Sequence, residues 1–218
     1  MSEKPTPGSD RNSAKEQPRR GTTRRMFLKS AGMVSATVAG AEMLGVAQIE
    51  AKSEAKASTL GPGKVPLKLR INDEVHAVNV EPRATLAEVL RDELHMTGTK
   101  IVCDRGSCSA CTVMLDKTPV CSCMTLAVDV GGRSITTIEG LARGEELHPV
   151  QAAFIAHDAL QCGFCTSGMV MSCAALLERN PKPSADEVKT AISGNICRCG
   201  TYPKVFEAVL AASQGKGA

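Results

Sequence analysis

Aromatic side chains are nearly missing from this 218-residue chain, which has no Trp, one Tyr and four Phe. None lies between residues 58 and 148. A domain there must build its core from aliphatic residues and some further internal anchor. Basic surface is missing as well. Residues 1–50 carry eight Lys/Arg and five Asp/Glu, and the rest carries 18 of each. No basic face remains for nucleic acid. No G-x-G-x-x-G follows a strand, so nothing here cradles a nucleotide phosphate. The four histidines, His76, His95, His148 and His157, show no ligand spacing and read as surface or satisfied residues. No general base, nucleophile or substrate pocket is visible. The stretch Ser30–Ile49 is weakly apolar and interrupted by Glu42, which argues against a permanent membrane span.

Cysteine is abundant instead: ten, in clusters at Cys103–Cys123, Cys162–Cys173 and Cys197–Cys199. Uneven clustering fits metal ligation better than a disulfide framework. Cys103, Cys108 and Cys111 have the spacing C-x4-C-x2-C, with Cys123 following after Thr112–Ser122. Three such cysteines and a distant fourth form the plant-type [2Fe–2S] ligand pattern. Three thiolates from one short segment must converge on two irons, and the small Gly106, Ser107, Ser109 and Ala110 let the backbone turn back on itself. The alternative is four buried or disulfide-bonded cysteines; a zinc site would more often pair C-x2-C at both ends. Cys162-x2-Cys165 and Cys197-x-Cys199 supply four further thiols, each pair at or before an expected helix start. Unpaired backbone N–H groups and the helix dipole favour thiolate there. Four-cysteine zinc is the rival at this second set. A thioredoxin-like redox pair lacks the βαβ pattern it would need.

Around these clusters the chain reads as α+β. Leu67–Ile71 and Val75–Val80 are expected strands joined by a turn at Asn72-Asp73-Glu74. Thr85 and Glu88 form a capping box for a helix whose apolar face is Leu86, Val89, Leu90 and Leu94. Thr112–Leu115 and Ile135–Ile138 are further strands. This order over residues 60–145 is that of a plant-type ferredoxin (β-grasp) domain. Residues 146–218 read as a four-helix bundle. Its helices are Pro149–His157, Met169–Leu177, one from Ser184 (with Glu187 completing a capping box) to Ile192, and one starting near Pro203.

Residues 1–57 read as a disordered N-terminus and a signal peptide. Thr23-Arg24-Arg25-Met26-Phe27-Leu28-Lys29 resembles the twin-arginine export signal, with Ser30–Ile49 as its apolar region and cleavage after Ala47 or Ala51. The alternative is an amphipathic or disordered tail. The twin-arginine route exports folded proteins, so thiols can be occupied in the reducing cytoplasm before an oxidising compartment is reached. The expected location is the periplasm.

Over about residues 65–212 the chain resembles the iron–sulfur subunit, or N-terminal iron–sulfur region, of the xanthine oxidase family of molybdenum hydroxylases. Gln161-Cys162-Gly163-Phe164-Cys165 and Gly194-Asn195-Ile196-Cys197-Arg198-Cys199 are similar to that family's signature stretches. The separate small chain and its leader look most like the iron–sulfur subunit of a periplasmic aldehyde oxidoreductase. The resemblance implies a heterotrimer with an FAD subunit and a large subunit holding molybdopterin cytosine dinucleotide. It implies two [2Fe–2S] clusters, with Cys103, Cys108, Cys111 and Cys123 nearer the flavin and Cys162, Cys165, Cys197 and Cys199 nearer molybdenum. Gln161 and Cys199 match positions against the pterin. The implied function is electron relay from molybdenum to FAD, in a complex that is not catalytic through this chain alone. Aldehydes are the leading substrate class. Family members acting on purines and other heteroaromatics use similar small subunits, and an independent soluble carrier or a structural-zinc module are the competing classes. Ser109 stands where the family usually has Gly, and Ser167 where many members have Pro. Cys121 and Cys173 are left over. The family pattern at Cys123-Met124-Thr125-Leu126-Ala127 favours Cys123 over Cys121 as ligand, and Cys173 reads as a small core residue.

Overall fold

Two short hairpins are built by the same device, an adjacent pair of residues with positive φ. In the computed structural model, which describes residues 59–215, these are Asn72 (φ 49) with Asp73 (φ 70), and Asp116 (φ 45) with Lys117 (φ 69). Such pairs match the right-handed twist of the flanking strands, and Asn and Asp tolerate them well. The first joins β1 (Val65–Ile71) to β2 (Glu74–Val80) and the second joins β3 (Thr112–Leu115) to β4 (Thr118–Cys121). β5 (Ser134–Thr136) runs parallel to β1 and antiparallel to β3, giving the five-stranded order β2-β1-β5-β3-β4. The expected run at Ile135–Ile138 is shorter as a strand, because Ile138–Gly140 turns into a 3-10 helix.

The capping box at Thr85 and Glu88 is present. Its helix is brief: one α-turn, α1 (Leu86–Glu88), which widens into a π-turn over Val89–Glu93. Leu86, Val89 and Leu90 are buried against Leu69, Ile71, Val113, Leu115 and Ile135. This sheet core holds no aromatic residue, as the composition requires.

Four helices follow: α2 (Pro149–Ala156), α3 (Thr166–Arg179), α4 (Ala185–Ala191) and α5 (Tyr202–Ser213). The second capping box, Ser184 with Glu187, opens α4. Helix α3 is longer than its apolar run because every residue from Ser167 to Leu176 is buried. It packs on α2, α4 and the β3–β4 hairpin. β3 lends Met114 to the helical core, beside Phe154, Met169, Val205 and Val209. Sheet and bundle therefore belong to one compact unit. No helix among the described residues is long and apolar enough to cross a membrane. The leader, with Arg24 and Arg25, lies outside the described residues.

Candidate metal centres

The loop from Cys103 to Cys111 turns by repeated left-handed residues: Asp104 (φ 52), Gly106 (φ 70) and Ser109 (φ 54). A side chain at Gly106 would meet Met124 Cγ at 2.9 Å, so the residue type is needed for both its φ and its space. The loop aims backbone N–H groups inward. The Arg105 N–H above all, with the neighbouring Cys108 thiol and the Ser107 N–H (3.3 Å), brings Cys103 down to about 7. Burial acts the other way on Cys108, which moves up, and on Cys123, pushed up to about 12 against a Gly106 N–H that favours its thiolate. Helix α1 places Cys123: Leu86 N–H donates to Thr125 O at 2.7 Å, and Ala87 packs with Cys111 and Cys123. Ser122 is fully buried and pins Cys111 through its hydroxyl, 2.7 Å from the Cys111 carbonyl.

The second set is assembled by helix packing. Cys162 and Cys165 precede α3, and Cys165 is its N-cap residue. Cys197 and Cys199 precede α5. Cys162 Sγ and Cys199 Sγ lie 3.4 Å apart, both exposed. The Phe164 N–H, then the Cys199 thiol, lower Cys162. Burial acts to raise Cys197, but the Thr201 hydroxyl, 3.3 Å from its sulfur, and the Thr201 N–H bring it to about 7. Burial and the neighbouring Cys197 push Cys165 to about 12.

The thiols of the eight candidate ligands neighbour one another in pairs: Cys103 with Cys108, Cys111 with Cys123, Cys165 with Cys197 and Cys162 with Cys199, while Cys111 also neighbours the leftover Cys121. Among the described residues no three Cys, His, Asp or Glu side chains close on a single ion. Paired sulfurs suit a binuclear cluster, where each iron takes two thiolates, better than one tetrahedral zinc. In three of the pairs one thiol is lowered and its partner raised, burial being the largest cause of the rise at Cys108 and Cys165. Metal ligation would require all of these thiols as thiolates. The eight cysteines therefore fit two [2Fe–2S] groups in donor chemistry and in pairing.

Of the leftover cysteines, Cys173 is sealed in α3 and burial alone pushes it to about 12. Cys121 is half-buried beside the first set, its Sγ 3.7 Å from Ser109 Oγ, and burial raises it. Ser109 adopts the left-handed backbone that glycine would take freely, at a cost of about 1–2 kcal/mol. Gln161 is exposed next to Cys162. His148 is a satisfied cap, its Nδ1 accepting from the Val150 N–H at 3.3 Å, and burial lowers its pKa so that the ring stays a neutral acceptor. His76 differs from the expectation: its Nε2 is buried with no hydrogen-bond partner, and the nearest charge is Glu74 at 3.9 Å.

The two sets touch through groups the motif spacing did not single out. The Ile196 N–H donates to Cys108 O at 3.1 Å. The buried Asn195 amide donates to Ser109 O at 3.2 Å. Gly168 in α3 lies so close that a Cβ there would sit 2.1 Å from Ser109 O and 2.9 Å from Ala110 Cα. Tyr202 bridges Cys197 N and Asn195 O through its hydroxyl. The only sequence hints were the position of Asn195 and Tyr202 beside Cys197 and Cys199, and that Tyr202 is the sole tyrosine.

Comparison with known proteins places this geometry. The family model of the 2Fe-2S iron-sulfur cluster binding domain matches residues 69–133, and that of the [2Fe-2S] binding domain matches residues 137–210. The aldehyde oxidoreductase iron-sulfur-binding subunit PaoA of Escherichia coli (strain K12) is 44% identical over 168 residues, covering 70% of this chain and 73% of that protein. The nicotine 6-hydroxylase small subunit of Paenarthrobacter nicotinovorans is 48% identical over 149 residues, covering 68% and 90%. Quinoline 2-oxidoreductase from Pseudomonas putida 86 superposes with a TM-score of 0.67 at 44% identity, over 71% of this chain and 99% of the solved one. The aldehyde oxidoreductase of Desulfovibrio gigas gives 0.66 at 38% identity, over 70% of this chain and 17% of that one.

Proposed function

The chain belongs to the iron–sulfur subunits of the xanthine oxidase family of molybdenum hydroxylases, and from that premise we propose that it is the electron-relay subunit of an exported aldehyde oxidoreductase. It is a non-catalytic subunit of an oxidoreductase, with two [2Fe–2S]-binding domains. In our reading Cys103 and Cys108 hold one iron of the first cluster and Cys111 and Cys123 the other. Cys165 with Cys197, and Cys162 with Cys199, do the same in the second. A [2Fe–2S] cluster carries one electron at a time, so two in series divide a two-electron oxidation into single steps.

The observation that carries the reading is the direct hydrogen-bonded contact between the two ligand loops, through Cys108 O and the Ile196 N–H. Each set also reaches the surface amid exposed apolar side chains. Val102, Met124 and Leu126 stand near the first set, and Leu160, Phe164 and Ile196 near the second. Exposed apolar groups at such sites suit docking to partner chains. We assign the first face to an FAD subunit and the second, with Gln161 and Cys199, to a large subunit carrying molybdopterin cytosine dinucleotide. The chain's own part is to supply thiolates, shield Cys108, Cys111 and Cys123 from water, and aim the Arg105, Ser107 and Phe164 N–H groups at sulfur.

The likeness to PaoA and the twin-arginine leader favour aldehydes and the periplasm. A second reading, hydroxylation of a heteroaromatic ring, is favoured by the likeness to the nicotine and quinoline enzymes. The test is to purify the complex from cells. About four irons per chain are expected from two [2Fe–2S] sites, with aldehydes bleaching the visible absorption of the complex and not that of the isolated chain. Zinc in place of iron, or bleaching by nicotine-like rings alone, would replace the aldehyde-relay reading. Changing both Arg24 and Arg25 to Lys should retain the loaded protein in the cytoplasm; unchanged export would remove the twin-arginine assignment.

A further inference from the structure

The two sets of thiols are held against each other by side chains that ligate nothing. We propose that Tyr202 and Asn195 are positioning residues that fix the separation of the two metal centres and so govern electron passage between them. The proposal rests on the reading that each set holds a [2Fe–2S] cluster.

The contact between the ligand loops is narrow. Ile196 N–H donates to the Cys108 carbonyl at 3.1 Å, and Asn195 Nδ2 to the Ser109 carbonyl at 3.2 Å. The two donors stand one and two residues before Cys197, and the two acceptors belong to Cys108 and its neighbour. A path from the Cys108 sulfur to the Cys197 sulfur therefore needs only the backbone near those two residues and one hydrogen bond.

That bond lasts only if the segment 195–197 keeps its shape, and Tyr202 sees to this. Its hydroxyl accepts from the Cys197 N–H at 2.7 Å and donates to the Asn195 carbonyl at 3.1 Å. One oxygen thus ties both ends of a three-residue segment whose middle N–H reaches Cys108. Tyr202 is the first residue of α5, a 12-residue helix anchored by the buried Val205 and Val209, so the hydroxyl is held by the bundle core. Asn195 is only 3% exposed, so its amide has no water to turn to if Ser109 O moves away. Gly168 and Gly194 leave the room for this approach: a Cβ at Gly194 would stand 3.3 Å from Ser109 Oγ.

A purely structural brace would change stability alone; a positioning pair must move a spectroscopic quantity that belongs to both centres. The experiment uses the full chain with its clusters in place, and compares it with Tyr202→Phe and Asn195→Asp. Iron is counted, and paramagnetic resonance is recorded during stepwise reduction by dithionite. Wild type with about four irons should show each reduced centre broadening the other's signal. Both variants should keep their iron and lose part of that mutual broadening. In Tyr202→Phe the midpoint potential of the second centre should shift while the first stays put. The double variant should change no more than the stronger single one, because both act through one contact. In the cluster-free chain, amide exchange at Ile196 should quicken in both variants. Unaltered broadening and potentials in both variants overturn the proposal, as does outright loss of the second cluster in both, which would make the pair mere support. Wild type without iron would instead remove the relay reading beneath it.

Discussion

The two metal centres are built by opposite strategies. The first is a local object: Cys103, Cys108 and Cys111 lie on one continuous loop, and only Cys123 arrives from beyond a hairpin. Three left-handed residues bend that loop, so its shape depends on local backbone conformation. The second is a tertiary object. Two pairs at the starts of α3 and α5 meet because α3, α4 and α5 share one core. The difference shows in the sulfurs. The first set buries Cys108, Cys111 and Cys123 and leaves Cys103 half-exposed, whereas the second exposes Cys162 and Cys199. A local loop can wrap its contents. Helix starts that meet end to end leave an open side, suited to a partner.

The contrast is broken most severely by removing a ligand from the local loop. Cys123→Ser should abolish one of two paramagnetic signals in the reduced protein, whereas Cys121→Ser should leave both. If the Cys121 variant loses the signal, the assignment of the fourth ligand reverses.

Next in size is a change at the seam between the two strategies. Gly168→Ala drives a methyl group into Ser109 O, which is backbone and cannot step aside. Overpacking of this kind costs about 3 kcal/mol, to be read from the denaturant midpoint, and should depress both cluster signals together. A loss confined to the second signal would show that the loop does not depend on α3.

The sulfurs themselves offer a chemical comparison. In the cluster-free chain the thiolate of Cys103 is present above about pH 7 and lost below it, while Cys123, at about 12, stays protonated. Thiolate is the reactive form. Alkylation of Cys103 should therefore climb as pH rises through about 7 and level off only once the thiol is fully ionised above it, with Cys123 unmodified; peptide mapping checks this. Equal modification of both would show the loop does not keep its shape without metal.

The smallest effect concerns Ser167, the second residue of α3, whose buried hydroxyl has no partner. Ser167→Pro should stabilise by about 0.4–1 kcal/mol, since a first-turn N–H is dispensable and Pro203 already occupies the same place in α5. Thermal unfolding would measure it, with the iron count unchanged.

Much of this was readable in the sequence, because the strongest constraints here are local. Thiol spacing, the capping boxes at Thr85 and Ser184, and the turns at Asn72-Asp73 and Asp116-Lys117 depend on neighbours a few residues apart, so seven candidate ligands and most element boundaries follow from pattern, while the family resemblance was needed to prefer Cys123 over Cys121 as the eighth. Ser109 shows the limit. Its departure from the family's glycine was visible, but only the structure shows that the backbone keeps the left-handed turn. The π-turn after α1, closed by the Leu94 N–H on the Val89 carbonyl at 3.1 Å, was not legible either, because the apolar spacing of Leu86, Val89, Leu90 and Leu94 suits an ordinary α-helix equally well. Above all, the tertiary structure decided which sulfur faces which, and that Asn195, Ile196, Gly168 and Tyr202 join the two centres. The contacts of Gly168, Asn195 and Ile196 with the Cys108–Ser109 backbone link residues 59 to 88 positions apart, from Gly168 against Ser109 to Ile196 against Cys108. No periodicity or spacing encodes such a meeting, because it arises only when two separately specified elements pack against each other.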